Sequence, residues 1–390
     1  MHEGDVFYTI FLIFAGAAIF STLVLFTKQS LLVAYILLGA ALGPCGLKLV
    51  YDVSTIQQVG NIGIVFLLFL LGLNLQPQNL VHMLGQVTWI AVISSILFAV
   101  LSYLVCLWFG FSVTESWIFG ATMMFSSTII GLKLLPTTIL HHQHTGEVMI
   151  SVLLMQDVIA IIILILINGA KDGTGLTLNN LILVVVTLPI LIIVAFGLER
   201  YVLVKLLARF DRMQEYVFLL SISWCLTLSF IAYKLGLSED IGAFVAGVAL
   251  ASSPISLFIS ESLRPLRDFF LVLFFFAIGA TFNFSYFSQV FWPSLVLAGL
   301  ILLVKPFLFR VLLSQSGEKL DIAKEVSLRL GQASEFSLLI ASIALSSKLI
   351  SELAANLIQA TTIVTFIVSS YWVVMRYPTP VALNEKMHKD

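Results

Sequence analysis

The chain contains 390 residues, of which 60% are hydrophobic and 11% are charged, and its formal net charge at pH 7 is −1. Soluble domains carry about a quarter charged residues, because their surface must be wetted. The composition therefore excludes a soluble globular protein and predicts an all-α polytopic membrane protein. The net charge indicates neither an acidic nor a basic partner, and a nucleic-acid partner is not expected. Cys45, Cys106 and Cys225 lie in apolar runs and predict no disulfide framework.

A membrane-spanning helix needs about 20 apolar residues, since the hydrocarbon core is about 30 Å thick. By this measure the sequence predicts about thirteen spans, centred near residues 15, 38, 66, 98, 124, 157, 189, 225, 245, 274, 302, 335 and 364. The ninth, IGAFVAGVALA, is short and rich in small residues. No cleavable signal peptide is expected, because the start MHEGDVFYTIF lacks a basic region.

The loop charges predict the orientation of the chain. With the N-terminus outside, about fourteen Lys and Arg residues fall in cytoplasmic loops, in agreement with the positive-inside rule. The outside loops receive only Lys48, Lys171, Lys234 and Lys348. We therefore expect a multi-pass protein of the plasma (cell inner) membrane, with its N-terminus outside and its C-terminus in the cytoplasm.

The fifth span, MMFSSTIIGLKLLP, carries Ser126, Ser127 and Thr128 together at mid-depth. Short polar side chains compete for backbone hydrogen bonds, so such a cluster weakens a helix. In transporters, unwound segments within the membrane offer free carbonyls to a cation where they line a cavity. The alternative is that these hydroxyls bond back to their own helix.

The loop LHHQHTGE follows the fifth span at its cytoplasmic end. It places His141, His142 and His144 near Glu147. These residue types can bind zinc. The sequence favours a solvated, proton-buffering loop over a metal site, and no bound metal is expected.

The sixth span, LLMQDVIAIIILILI, contains Gln156 and Asp157 about ten residues from its start, hence about 15 Å deep and close to the midplane. An ionised carboxylate is costly there, and ionisable residues within the membrane are functional candidates by default. Asp157 is therefore the principal candidate for the functional site. The alternative is a carboxylate paired to a basic residue that only fixes helix packing.

The eleventh span, ILLVKPFLF, contains Lys305 near its middle, followed by Pro306, which is expected to kink the helix. Glu335 or Asp157 could neutralise the charge of Lys305, and the sequence does not choose between them. A structural role beside a broken helix and a role in transport both stay open for Lys305. Arg329, closer to the cytoplasm, is expected to extend its side chain toward the membrane surface.

The twelfth span, LRLGQASEFSLLI, places Gly331, Gln332, Ser334 and Glu335 deep in the membrane. Gly and short polar residues predict a second broken helix. The fifth and twelfth spans run in opposite directions, since their numbers differ by an odd offset. Two broken helices in opposite senses are typical of an inverted-topology repeat.

Several blocks, in order over nearly the whole chain, closely resemble the Kef-type branch of the monovalent cation:proton antiporter family. LLMQDVIAI resembles its Gln-Asp signature and FSSTII its Ser-Ser-Thr crossover, with further blocks in LGQASEFSLL, GAFVAGVALASS, AALGPCGL and GIVFLLFLLGLNLQP. The resemblance implies a sodium/proton-antiporter-like fold with inverted repeats and two broken, crossing helices. It implies that Asp157 is the shared proton and cation ligand, with these residues beside it: Gln156, Ser127, Thr128 and Ser126. Lys305, Glu335, Gln332 and Ser334 are expected to support the site.

The resemblance also implies a homodimer in the lipid bilayer and a single integral membrane domain over residues 1–390. The scaffold and dimerisation spans would cover about 5–82 and 215–285, the transport bundle about 86–168 and 290–376, and a linker span about 178–200. No soluble nucleotide-binding domain is recognised. A cytoplasmic regulatory domain would be a separate chain or lost by truncation.

Two departures from the family pattern concern regulation and charge. The family's Gly-Leu-Glu-Leu-Asp-Pro appears here as GLNLQP, which lacks both acids. The loop that carries an acidic cluster in Kef proteins reads SPISLFISESLRPLRD, with Glu261 but no cluster. We therefore expect neither glutathione nor nucleotide control of this chain.

A buried carboxylate can hold a proton or a dehydrated cation but hardly both, which predicts antiport by alternate loading. Gln156 cannot titrate, so one-for-one, electroneutral exchange is expected. K⁺ is the favoured cation, and a Na⁺/H⁺ antiporter of the same fold is the alternative. A ligand-gated, K⁺ channel-like efflux protein is the second alternative. An enzyme is not expected, and neither is a cofactor apart from the transported ions.

Overall fold

The computed structural model describes residues 6–27, 29, 31–50, 53–74, 86–133, 144–169, 178–210, 213–251, 253 and 255–377. These residues form helices, and no strand occurs among them. An all-helical chain satisfies its backbone hydrogen bonds within each segment, which is what a bilayer requires. The predicted all-α class is confirmed for this part of the chain.

The helices of the first half are α1 (Val6–Phe26), α2 (Leu31–Leu42), α3 (Val53–Asn74), α4 (Gln86–Trp108), α5 (Val113–Met123), α6 (Thr128–Lys133), α7 (His144–Gly169) and α8 (Leu178–Leu198). A π-helical turn, Glu199–Leu203, joins α8 to α9 (Val204–Phe210). The second half contains α10 (Gln214–Lys234), α11 (Glu239–Ala251), α12 (Ser256–Ala280), the 3₁₀ turn Phe284–Tyr286, α13 (Phe287–Gln315), α14 (Leu320–Arg329), α15 (Glu335–Ser346) and α16 (Glu352–Arg376).

Five described helices are long and apolar enough to cross a membrane, namely Phe7–Phe26, Thr88–Trp108, Gln214–Lys234, Phe284–Gln315 and Glu352–Arg376. Four shorter apolar helices are Leu31–Leu42, Gln58–Leu73, Val148–Leu164 and Glu335–Ser346. The predicted span centres fall within helices, except those near 124 and 335, which fall at helix interruptions. The total of thirteen spans stays a prediction.

Both predicted helix interruptions are present. Between α5 and α6, residues 125–127 are not helical, and between α14 and α15 the same holds for residues 331–334. Gly331 is required at the second interruption, because a Cβ atom there would lie 2.8 Å from the Pro306 ring of α13. The interruptions are therefore built by short polar residues and by one close backbone approach.

The described chain divides into two compact units. Unit 1 contains Met1–Tyr51, Met83–Ile163 and Ile278–Asp390, and unit 2 contains Asp52–His82 and Leu164–Ala277. Unit 1 holds the predicted site residues. Residues 1–51 group with unit 1 in this division, whereas the sequence analysis assigned them to the scaffold. The functional division into scaffold, linker and transport bundle stays a prediction.

Unit 2 has an apolar core formed by α3, α10 and α11, with residues such as Phe69, Cys225 and Leu250 fully buried. The small residues of IGAFVAGVALA let α11 approach α3 closely. A Cβ atom on Gly247 would lie 2.8 Å from the backbone nitrogen of Leu73. Trp224 of α10 donates its ring N–H to the carbonyl of Ala246 at 3.0 Å. The ninth predicted span thus corresponds to α11, a short helix that packs closely against α3.

Candidate functional site

The interruption between α5 and α6 uses its serines in two different ways. Ser126 donates its hydroxyl to the carbonyl of Leu330 at 2.7 Å, across to the other interrupted helix. Ser127 accepts the backbone N–H of Ile130 at 3.1 Å and so caps α6, its own helix. The alternative of hydroxyls that serve their own helix therefore holds for Ser127, while Ser126 joins the two interruptions.

Asp157 lies in the middle of α7 and is 2% exposed. Its Oδ1 accepts the hydroxyl of Thr128 at 3.5 Å, a long and hence weak hydrogen bond. Its Oδ2 is buried and has no hydrogen-bond partner among the residues that the structure describes. Buried carboxylate oxygens normally have partners. One oxygen of Asp157 is therefore available to a proton, a cation or water.

Gln156 is directed toward the backbone of the α5–α6 interruption. Its Oε1 accepts the N–H of Ser126 at 2.9 Å, and its Nε2 donates to the carbonyl of Met124 at 3.4 Å. Both ends of the amide are thus bound to the segment that α5 leaves unwound. In this arrangement Gln156 supports the backbone beside the site.

Lys305 is fully buried in α13. Its ammonium donates to the carbonyls of Phe125 at 2.5 Å and Gln332 at 3.1 Å, and it lies 5.2 Å from the centre of the Phe98 ring. Among the described residues it forms no ion pair with Asp157 or Glu335. Of the partners that the sequence left open for Lys305, the structure therefore shows neither acid but two backbone carbonyls.

The physical reason lies in the helix ends. Phe125 and Gln332 follow the C-terminal ends of α5 and α14, where unpaired carbonyls and the helix dipole concentrate negative charge. The Lys305 ammonium gives a hydrogen-bond donor to each carbonyl. Its positive charge also balances the partial negative charges at the ends of α5 and α14. Lys305 therefore joins the two interruptions, which corresponds to the structural role left open by the sequence.

Three hydrogen bonds are formed by polar side chains in and next to the α14–α15 interruption. Gln332 donates its Nε2 to the carbonyl of Ser127 at 3.5 Å. Ser334 accepts the N–H of Phe336 at 3.2 Å and caps α15. Ser337 donates its hydroxyl to the carbonyl of Thr122 near the end of α5. Each of these contacts links or stabilises an interrupted helix near Asp157.

Glu335 is the first residue of α15 and is 4% exposed. An acidic residue at this position is favoured by the positive end of the helix dipole. Its carboxyl group lies close enough to Asp157 for the two groups to interact electrostatically. Two buried carboxylates near each other disfavour the state in which both are ionised.

Arg329 departs from its expected position. It is 1% exposed and forms a salt bridge of 2.8 Å with Glu325, one turn earlier on α14. Its guanidinium also lies 5.5 Å from the centre of the Tyr377 ring. The side chain is thus packed inside the protein near the end of α14 instead of reaching the membrane surface.

The predicted histidine loop lies mostly outside the described residues. His141 and His142 lie outside the described residues, as do the side chains of His144 and Glu147. Among the residues whose placement is described, no group of three His, Cys, Asp or Glu side chains could hold a metal ion.

Two residues at the site escaped the sequence analysis. Thr365 and Ser369 of α16 bond to Ala333 and Gln332 of the second interruption. The sequence pattern that could have identified them is the run QATTIVTFIVSS, in which hydroxyl residues recur at helical spacing within an apolar helix. Polar side chains in a membrane helix face the protein interior, so this recurrence points to a polar neighbour.

The arrangement combines a buried carboxylate, one available oxygen and two unwound backbone segments. A proton can bind to the free oxygen of Asp157, and a desolvated cation can bind to the carboxylate and to nearby oxygens. The proton and the cation therefore compete for the same Asp157 carboxylate. The geometry is thus suited to a site at which a proton and a cation exclude each other.

The fold resembles a solved transporter structure. The sodium proton antiporter MjNhaP1 from Methanocaldococcus jannaschii, determined at pH 8, matches with a TM-score of 0.72 over 94% of this chain and 96% of that chain. The sequence identity is 16%, so the likeness concerns the fold alone. The chain therefore has the fold of MjNhaP1.

A family model described as "Sodium/hydrogen exchanger, transmembrane" matches residues 10–375. The chain therefore belongs to the sodium/hydrogen exchanger family, a family of cation:proton antiporters. The resemblance found in the sequence blocks is confirmed at the level of the family, which is one of transporters.

Among curated relatives, K(+) efflux antiporter 5 from Arabidopsis thaliana is 28% identical over 84% of this chain and 58% of its own length. The iron transporter MagA from Paramagnetospirillum magneticum is 25% identical over 88% of this chain and 80% of its own length. The glutathione-regulated potassium-efflux protein KefC from Klebsiella aerogenes is 28% identical over 78% of this chain and 50% of its own length. The chain thus spans only about half the length of the potassium-efflux relatives.

Proposed function

We propose that the protein is a secondary active antiporter that exchanges K⁺ for H⁺ by alternating access at Asp157. The observation that carries this proposal is the buried Asp157 carboxylate, whose Oδ2 has no hydrogen-bond partner among the described residues. Two of the curated relatives have names that specify potassium efflux, which supports K⁺ as the cargo. Na⁺ is the alternative cation within the same mechanism.

The exchange is one-for-one and electroneutral. Gln156 carries no charge, and Lys305 is bound to two carbonyls, so neither adds a second proton-linked pair. Glu335 is a second acid near Asp157, but two neighbouring buried carboxylates favour a single negative charge between them. A K⁺ ion entering the site replaces one proton and leaves the net charge unchanged.

The assembly follows the same proposal. The protein spans the plasma membrane with thirteen helices arranged as an inverted repeat, has its N-terminus outside and its C-terminus in the cytoplasm, and forms a homodimer. Secondary transporters built from inverted repeats work by moving one helix bundle against another around a fixed site near the bilayer midplane. No cofactor takes part, since the proton and the cation are the cargo.

The test is proton flux in liposomes that contain the purified protein, with K⁺, Na⁺ or Li⁺ offered one at a time. We expect exchange with K⁺, and an apparent Km for K⁺ that rises with proton concentration, as competition for one carboxylate demands. Asp157→Asn should abolish exchange for every cation, whereas Asp268→Asn makes the same chemical change at an exposed position of α12 and should leave it intact.

The alternatives give different results in the same vesicles. Exchange with Na⁺ but not K⁺ would favour the sodium antiporter. Cation flux without proton movement would favour the channel-like efflux protein. Transport that accelerates or reverses with an imposed voltage alone contradicts electroneutral exchange. If Asp157→Asn still exchanges cations for protons, Asp157 is not the shared ligand.

A further inference from the structure

Helix α16 carries a set of buried hydroxyl groups in the interior of unit 1. Each is 2% exposed or less, and the set comprises Thr361, Thr362, Thr365, Ser369 and Ser370. The hydroxyls of Thr361, Thr362 and Ser370 have no hydrogen-bond partner in the described part of the chain. Thr365 and Ser369 differ from them, because both bond to the α14–α15 interruption.

The two bonded residues are four positions apart and therefore lie on one face of α16. Thr365 accepts the backbone N–H of Ala333 at 3.1 Å and donates its own hydroxyl to the carbonyl of Thr362 at 2.8 Å. A buried N–H in an unwound segment needs such an acceptor, since no helix supplies one. Thr365 thus satisfies a backbone group that the interruption exposes.

Ser369 acts on a side chain instead. Its hydroxyl donates to Oε1 of Gln332 at 3.0 Å. With its oxygen bound to Ser369, the Gln332 amide directs its NH₂ group to the carbonyl of Ser127 at 3.5 Å. The Ser127 carbonyl can only accept, so it selects the NH₂ end of the amide, and the bond from Ser369 holds the opposite end of the Gln332 side chain in place.

The contacts continue from Ser127 to the carboxylate. Thr128, the next residue, donates its hydroxyl to Asp157. A chain of neighbours therefore runs from Ser369 through Gln332, Ser127 and Thr128 to Asp157, across four segments of unit 1. Binding groups held in place before the ligand arrives give higher affinity, because less order must be gained on binding.

We propose that Ser369 and Thr365 are positioning residues for the cation site, which fix the α14–α15 interruption and, through Gln332, the carbonyl of Ser127. The proposal rests on the proposed function, since it assigns these residues to the same cation site. Neither residue touches the cation. Their contribution is to hold the backbone of Ser127 and Thr128 in place, so that the Thr128 hydroxyl reaches Asp157.

The experiment compares buried hydroxyl residues of α16 that contact the α14–α15 interruption with buried hydroxyl residues that do not. Ser369→Ala removes the bond to Gln332, while Ser370→Ala removes an equally buried hydroxyl that has no partner. Thr365→Val removes the acceptor for Ala333, with Thr361→Val as its control. Thr365→Ser keeps the hydroxyl and should restore the behaviour of the wild type.

We expect Ser369→Ala and Thr365→Val to raise the apparent Km for K⁺ by about threefold to tenfold, the effect of one hydrogen bond. The maximal exchange rate should stay within about twofold, because Asp157 is intact. Ser370→Ala and Thr361→Val should match the wild type. A Km for Ser369→Ala equal to that of Ser370→Ala, or lower, would overturn the role of Ser369.

A double-mutant cycle separates positioning from general packing. If Ser369 acts through Gln332, Ser369→Ala should have little further effect on the Km of a Gln332→Ala protein, so the two changes are not additive. Additive changes would overturn the assignment. K⁺-dependent thermal stabilisation in detergent gives a second readout that does not need transport. A wild type that binds K⁺ but exchanges no protons contradicts only the proposed function, whereas a wild type that binds no monovalent cation contradicts both.

Discussion

Two regions of the molecule bring backbones close together, and they do so by opposite means. In unit 2, α3 and α11 approach each other through Gly72 and Gly247, and both helices stay intact. In unit 1, the α5–α6 and α14–α15 interruptions meet through polar side chains, and both helices are unwound. The first region needs no side chain, whereas the second depends on specific donors and acceptors.

The difference indicates which part of the protein offers polar groups to an ion. An intact helix has no free backbone groups to offer, so the α3–α11 contact can be tight and apolar. An unwound segment exposes carbonyls and N–H groups that must find partners in the dry interior. Lys305, Gln156, Gln332 and Ser126 supply them. Oxygens that these partners leave unoccupied are the ones that an ion can use.

The largest effect on stability is expected for Lys305→Met, which removes the donor shared by Phe125 and Gln332. Two buried carbonyls then lose a charged donor, which should cost about 3 kcal/mol of the free energy of unfolding. Thermal unfolding in detergent measures the change. Lys319→Met makes the same change at an exposed residue before α14 and is the control. A variant as stable as the wild type would mean that the interruptions do not need Lys305.

The second prediction concerns the intact-helix region. Gly247→Ala places a Cβ atom 2.8 Å from the nitrogen of Leu73 and 3.0 Å from the carbonyl carbon of Gly72. Backbone atoms cannot move aside as a side chain does, so overpacking should lower the free energy of unfolding by about 2 kcal/mol. Gly197→Ala in α8 meets nothing within 4 Å and should be neutral or stabilising. Equal melting temperatures for the two variants would contradict the close approach of α3 and α11.

These two regions were not equally predictable from the sequence. The lengths of the apolar runs predicted the helices. The runs Ser-Ser-Thr and Gly-Gln-Ala-Ser predicted the interruptions, because short polar residues destabilise a helix through local effects. The partner of Lys305 was not predictable. Acids are the usual partners of a lysine, and the two carbonyls that bind it are separated from it by 180 and 27 residues. A backbone carbonyl has no sequence signal, since every residue carries one.

The same limit applies to Gln156 and to α16. The sequence identified Gln156 and Asp157 as a pair, but their amide and carboxylate have different neighbours, which only the folded chain reveals. Thr365 and Ser369 look like Thr361 and Ser370 in the sequence. Only the contacts with Ala333 and Gln332 distinguish them. Composition predicts a buried polar face, and tertiary contacts decide which of its groups are used.

The third prediction has the opposite sign to the first two. Asp157→Asn removes a titratable group that is 2% exposed and lacks an ion-pair partner among the described residues. The amide keeps the size of the side chain and can still accept the hydroxyl of Thr128. The free energy of unfolding should therefore rise by about 1 kcal/mol, since a costly buried charge is replaced by a neutral group. A lower melting temperature would indicate that Asp157 stabilises the fold instead of serving the site.

The smallest effect on stability is expected for Thr128→Val. The hydroxyl of Thr128 lies 3.5 Å from Oδ1 of Asp157, too far for a strong hydrogen bond, and valine has nearly the same shape. The free energy of unfolding should therefore change by less than about 0.5 kcal/mol. The apparent affinity for K⁺ should nevertheless fall by about threefold, because the hydroxyl orients the carboxylate and supplies an oxygen next to it.

Thr128→Ser tests this assignment, since it keeps the hydroxyl and removes only the methyl group. Its affinity for K⁺ should equal that of the wild type in the liposome assay, whereas Thr128→Val should be weaker in the same preparation. Thermal unfolding of both variants establishes that the fold is unchanged. If valine leaves the affinity intact, the hydroxyl serves only the start of α6. The cation would then be bound by Asp157 and backbone carbonyls, and the unwound segments of unit 1 would act through their backbone alone.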